Sequence, residues 1–101
     1  MNTLLQRAKE LYPELKDMKD DLHRHPELSF QEVRTTALLK EKLTQLGLEL
    51  VDLGMKTGVV AVLRGGKPGR TVALRADIDA IEQQEPKDNG VVSENGGVMH
   101  A

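Results

Sequence analysis

Apolar residues recur every three or four positions up to Gly47 and mostly at every second position or in an unbroken run after it, so the chain must pass from helix to extended strand at that glycine. Upstream, Leu4, Ala8, Leu11, Leu15, Met18 and Leu22 form one stripe, the pattern of an amphipathic helix facing a core. Pro13 lies inside the stripe and removes a backbone donor. Because the phase is kept across it, a kink near Tyr12 is expected in place of a break. Pro26 disfavours helical geometry at His25 and should end this first helix close to Arg24. Ser29 followed by Glu32 has the spacing of a capping box and predicts a second helix over residues 30–46. Val33, Ala37, Leu38, Leu43 and Leu46 would form its inward face, and Gly47 its left-handed terminator.

Beyond Gly47, Leu48, Leu50 and Leu53 suggest a short strand, and residues 58–63 form an apolar run of the kind found in strands covered on both faces. Residues 64–70 have turn composition and residues 71–77 return as a third strand, which predicts a hairpin between 58–63 and 71–77. There Val72, Leu74, Ala76 and Ile78 face one way, and Ala73, Arg75, Asp77 and Asp79 the other. Residues 82–97 are polar and glycine-rich, without a period, and read as loop. Helix, helix, strand, strand, strand is the opening of an α/β sheet domain.

At 101 residues the chain makes one compact domain at most. Its 14 basic and 16 acidic residues are mixed along the sequence for a net charge of -2, which argues against nucleic acid or an anionic membrane as partner. Without cysteine it has neither a disulfide framework nor a thiolate metal site. The first ten residues lack a basic stretch followed by an apolar one, and no apolar segment nears the roughly 20 residues that span a bilayer. A soluble, cytoplasmic protein is expected. With only Tyr12 and Phe30 aromatic, little is available for base stacking.

Arg75-Ala76-Asp77-Ile78-Asp79 is the strongest candidate for chemistry, because open α/β sheets place their sites at the C-terminal ends of strands. Asp77 and Asp79 share a face and could bind a divalent ion or orient a metal-bound histidine. The plainer alternative is an Arg75–Asp77 ion pair with Asp79 capping a turn. His23 and His25 are two apart, which on a helix points them to different sides, so a polar helix end is favoured over a metal site. His100 stands next to the last residue, where a ligand is poorly held. Gly65, Gly66, Lys67 and Gly69 do not make a phosphate loop: the order is wrong, no helix follows, and Pro68 lacks an N–H.

Three segments, in order, resemble a known family. Asp21-Leu22-His23-Arg24-His25-Pro26-Glu27-Leu28-Ser29-Phe30-Gln31-Glu32 is similar to the signature of the metal-dependent amidohydrolases that include hippurate hydrolase, aminoacylases (N-acyl-amino-acid amidohydrolases), N-acetyldiaminopimelate deacetylase and auxin-conjugate hydrolases. Thr57-Gly58-Val59-Val60-Ala61 and residues 72–80 follow, and Ser93-Glu94-Asn95 with Gly97-Val98-Met99-His100-Ala101 completes the match.

The resemblance implies a zinc-peptidase-like α/β sheet domain with an inserted lid or dimerisation domain, of which this chain would be the N-terminal part: two helices and the first strands, over residues 1–101. In the family, Met-His-Ala runs into Cys-Gly-His-Asp-Gly-His, whose cysteine and first histidine hold metal. By motif position Asp79 matches the aspartate that supports the metal site, and Asp77 stands where more distant relatives carry a histidine ligand. The parent enzyme would use divalent metal, zinc or manganese, to hydrolyse the amide of a small N-acyl amino acid, and would form a homo-oligomer. This chain alone is expected to bind no metal tightly and to be inactive. A rival reading is a small binding or regulatory module that pairs with a complementary fragment or an intact relative. The sequence departs from the family at Glu82, where a proline is usual, which puts the loop at Gln84 and Glu85 in doubt. Residues 86–90 are also unlike their family counterpart.

Overall fold

The computed structural model describes residues 2–83 and 90–100, so the doubtful loop at Gln84 and Glu85 and most of the 86–90 segment lie outside the described residues. Helices α1 (Asn2–Arg24) and α2 (Val33–Gln45) are followed by strands β1 (Glu49–Val51), β2 (Val60–Val62), β3 (Ile81–Glu82) and β4 (Val98–Met99). The strands form two antiparallel pairs, β1 with β2 and β3 with β4. This is the expected α/β opening, with two helices ahead of short strands.

Helix α1 runs through Pro13 without a break and ends at Arg24, as the phase of its stripe and Pro26 require. Leu11, Met18 and Leu22 are half-buried, whereas Leu4, Ala8 and Leu15 stay exposed, so the stripe is only partly packed.

The start of α2 differs from expectation. Phe30 takes a left-handed φ of 64° and is exposed, and the helix begins three residues later at Val33. No side-chain capping bond comes from Glu32, and Ser29 is exposed, so the capping box does not form. The free N–H groups of the first turn instead point at Glu27: its Oε2 accepts from the Arg34 amide at 3.0 Å and its Oε1 from the Thr35 amide at 2.6 Å. The reversal at residues 28–31 brings this carboxylate back over the helix it precedes, with the Gln31 amide donating to the Leu28 carbonyl at 2.9 Å. Ser29→Ala is therefore expected to shift the denaturation midpoint by less than about 0.5 kcal/mol, the range of an ordinary surface change. A loss of a full kcal/mol would restore the serine as cap.

The inward face of α2 is also rotated from the predicted one. Thr35 and Thr36 are buried, while Val33, Ala37 and Leu46 are exposed. Freed from capping, Glu32 is buried and accepts from the Thr57 hydroxyl at 3.1 Å, and Thr36 Oγ1 accepts from the Gly58 amide at 2.8 Å. Polar side chains thus tie α2 to the loop before β2. Its far end closes as predicted: Gly47 has φ 82°, and the amides of Gly47 and Leu48 donate to the carbonyls of Thr44 and Leu43 at 3.0 and 3.1 Å.

Strands β1 and β2 pair in the register Glu49↔Val62, Leu50↔Ala61, Val51↔Val60, extended by Arg64 on Glu49 at 3.0 Å. The predicted hairpin between 58–63 and 71–77 is not formed. Residues 71–79 have no strand partner among the described residues, and Val72 and Leu74 are fully exposed. The far end of this segment is held elsewhere: the Ala80 amide donates to the Glu27 carbonyl at 2.8 Å, and Leu28 and Ala80 form a parallel bridge. That anchor carries the segment toward the end of α1 and away from β2. Strand β2 is half-exposed, so the double cover expected of its apolar run is not supplied by these residues. Two further short strands, not expected from the sequence, flank the segment read as loop: β3 and β4, with Ile81↔Met99 and Glu82↔Val98 in register.

Candidate functional site

Ala80 is 3% exposed and Met99 8%, and Pro26 is buried as well; Ala80 is bridged to Leu28 just past α1, and Met99 pairs with Ile81 next to it. This small packed junction fixes the residues on either side of it. On one side runs 76–79, on the other His100. Its Nε2 lies 3.3 Å from the Ile78 carbonyl oxygen, which can only accept, so that nitrogen carries the proton.

A cleft of about 870 Å³ opens between this strand end and the two helices. His23, Asp77, Asp79 and His100 line it, with Leu22 and Leu39 supplying apolar wall. Folding thus brings together four of the residues singled out from sequence. His25 is not among the lining residues: its ring faces Asp21 and Glu94, as expected for a residue two along a helix from His23.

Asp77 makes the plainer contact, an ion pair with Arg75 at 2.8 Å, with both side chains exposed. Asp79 is half-buried and stands between two anchors, the His100 contact to Ile78 and the Ala80 amide on Glu27. Among the described residues no three His, Asp or Glu side chains converge as a metal-binding group. Asp77 and Asp79 by themselves are at most part of a metal-binding set.

Sequence reading missed the network beneath the cleft. The Asp21 carboxylate accepts from Arg34 Nη2 at 2.8 and 3.0 Å, joining the end of α1 to the start of α2. That hydrogen bond holds the Asp21 carboxyl below the usual range, with partial burial working against it. For Glu27, burial would raise the carboxyl, but the amides of Thr35 and Arg34 outweigh it and the net direction is down. Asp21, Glu27 and Arg34 are far apart in local pattern, and only the chain reversal brings them together.

Two helices followed by two short antiparallel strand pairs describe part of an α/β domain. Over most of its length the chain is homologous to amidohydrolases, deacetylases and carboxypeptidases. It is 44% identical over 94 residues to N-acetylcysteine deacetylase of Bacillus subtilis, covering 92% of this chain and 25% of that protein. To thermostable carboxypeptidase 2 of Saccharolobus solfataricus it is 43% identical over 95 residues, covering 93% of this chain and 24% of the relative. A solved Bacillus subtilis structure, described as a dinuclear metal binding peptidase from the M20 family, superposes with a TM-score of 0.85 at 43% identity over 91% of this chain and 26% of that one. No family model matches the chain. It spans about a quarter of the length of the curated relatives it matches.

Proposed function

We propose that this chain is the N-terminal part of the catalytic domain of a metal-dependent amidohydrolase, and that the whole protein hydrolyses the amide bond of small N-acyl amino acids. The observation that carries this reading is the 44% identity to a deacetylase of N-acetylcysteine, itself an N-acyl amino acid. In it Asp79 supports a metal site completed by residues beyond this chain, and Asp77 is a weaker candidate because Arg75 already occupies it. A divalent metal held there, zinc or manganese, would supply Lewis-acid polarisation of the amide carbonyl. The part played by these residues is to hold the Asp79 wall, through Glu27 and His100, against the end of α1. A cytoplasmic setting and a homo-oligomeric parent complete the proposal. No described helix is long and apolar enough to cross a membrane.

The self-sufficient binding module is the weaker alternative, since such a module needs a closed core and the few buried apolar side chains among the described residues do not make one.

The test is a chimera in which residues 1–101 replace the matching segment of the Bacillus subtilis deacetylase. Retained hydrolysis of N-acetylcysteine is expected, with Asp79→Asn in the chimera lowering kcat about 10- to 100-fold, as losses of metal-supporting carboxylates do. A folded chimera without activity, or one indifferent to Asp79→Asn, would count against the reading. For the 101-residue chain alone, calorimetric titration with zinc or manganese is expected to show no tight stoichiometric site, because metal affinity needs a convergent set of three or four donors. A one-to-one isotherm in the micromolar range or below would overturn that expectation.

A further inference from the structure

The end of α1 and the loop before β4 meet around one imidazole. His25 Nδ1 lies 2.9 Å from the Asp21 carbonyl oxygen and 3.4 Å from Asp21 Oδ1, while Nε2 lies 3.2 Å from Glu94 Oε2. Carbonyl and carboxylate oxygens only accept here, so each contact needs a proton on the nitrogen that makes it. Only the imidazolium carries both. In the neutral ring, a proton kept on Nδ1 for the Asp21 carbonyl leaves the Nε2 lone pair facing the Glu94 carboxylate, and an attractive contact becomes a repulsive one.

The charges around the ring come from three elements. Asp21 lies in the last turn of α1, just before His25, and is paired with Arg34 of α2 at 2.8 Å; Arg24 of α1 acts on Asp21 as well; Glu94 comes from the loop. None of them supplies Nε2 with a second acceptor that would hold it in place of Glu94.

We propose that His25 is a pH-dependent latch. Protonated, it fastens Glu94, and with it the stretch leading into β4 and His100, to the C-terminal end of α1; neutral, it lets that contact go. The loop is also tied to this helix end by the Glu94 amide on the Arg24 carbonyl at 2.8 Å and by Asn95 Nδ2 on the Pro26 carbonyl at 3.4 Å. The ionic contact adds a charged, pH-dependent tie to these two neutral ones. Because His100 reaches Ile78 and lines the cleft, the latch acts on the wall that carries Asp79. His25 is a positioning residue in this scheme, and the scheme stands whether or not the amidohydrolase reading does.

Hydrogen exchange on the full 101-residue chain, corrected for the intrinsic effect of pH, tests it at about pH 5.5 and about pH 8, on either side of histidine titration. Amides of residues 94–99 are expected to be about threefold better protected at the lower pH, relative to those of residues 38–44 in α2, which is the fold-change of a partly exposed ion pair. Glu94→Gln preserves the shape of an exposed side chain while removing its charge, and should abolish the difference. His25→Gln should do the same. His100→Gln removes the other titrating ring of this stretch and should leave the difference in place. Equal protection of residues 94–99 at both pH values in the unaltered chain overturns the latch, as does a difference that survives Glu94→Gln or vanishes in His100→Gln.

Discussion

Glu27→Ala is expected to destabilise α2 by about 2 kcal/mol, which would speed amide exchange in residues 36–44 roughly 30-fold. The carboxylate is the acceptor for two amides of the first helical turn, one of them at 2.6 Å, and these bonds carry a full negative charge at the positive end of the helix dipole. Removing it leaves both donors unmet in a part of the chain that is half-buried, so the loss exceeds that of an ordinary exposed cap. Glu27→Gln keeps one acceptor oxygen and should lose about half as much. The same geometry sets the acid response. Glu27 and Asp21 both titrate below their ordinary values in the folded chain, so the stability they contribute is fully present above about pH 4.5 and is lost as pH falls through their lowered values. Helicity should therefore fall in acid for the unaltered chain and fall less steeply for Glu27→Ala. An exchange rate in α2 unchanged by Glu27→Ala would show that the helix start is held by something other than this carboxylate.

Much of this was legible in the sequence because it is local. Gly47 ends α2 by backbone conformation alone, and Pro26 ends α1 by clash with its predecessor, so periodicity and punctuation suffice for both. The apolar spacing after Gly47 likewise placed β1 and β2. Capping was misread for an instructive reason. Ser29 and Glu32 have the right separation, but the turn at Phe30 spends the residues between them, and Glu27 reaches the helix end through a reversal that no short-range pattern encodes. The strands β3 and β4 were missed because two-residue pairs separated by a long loop have no period to detect. The hairpin failed for the opposite reason: residues 71–79 carry the alternation of a strand, but alternation does not say which edge the strand will join. Asp77 and Asp79 were singled out by residue type and by the alternation of their segment, whereas His23 was read as part of a polar helix end and His100 as poorly held; that all four line one cleft follows from long-range contacts such as the Ala80 anchor.

The unpaired strand segment leads to the second large effect: the 101-residue chain alone should self-associate and bind apolar dye, and Val72→Lys with Leu74→Lys should largely abolish both. Val72 is 91% exposed and Leu74 fully so, on a segment with no ladder partner among the described residues. An extended, apolar, unpaired segment is a template for pairing with another chain. The surface as a whole points the same way. The chain exposes 8437 Å², against roughly 5,700 Å² for a compact monomer of this size, and its radius of gyration is 16.0 Å against about 13 Å. Leu4, Leu15, Leu53 and Leu63 add further exposed apolar area, so segment 71–79 is the most exposed site but has company. Each lysine removes a side chain whose burial in an intermolecular contact would contribute about 1.5 kcal/mol or more, so each should weaken association about tenfold. Light scattering after size exclusion and dye fluorescence read the two effects separately. If the chain elutes as a monomer with a sharp cooperative melt and no dye binding, the exposed segment must be covered in solution by the chain's own residues. The self-sufficient module would then displace the incomplete domain, because a strand that finds its partner within 101 residues has no need of the rest of an enzyme.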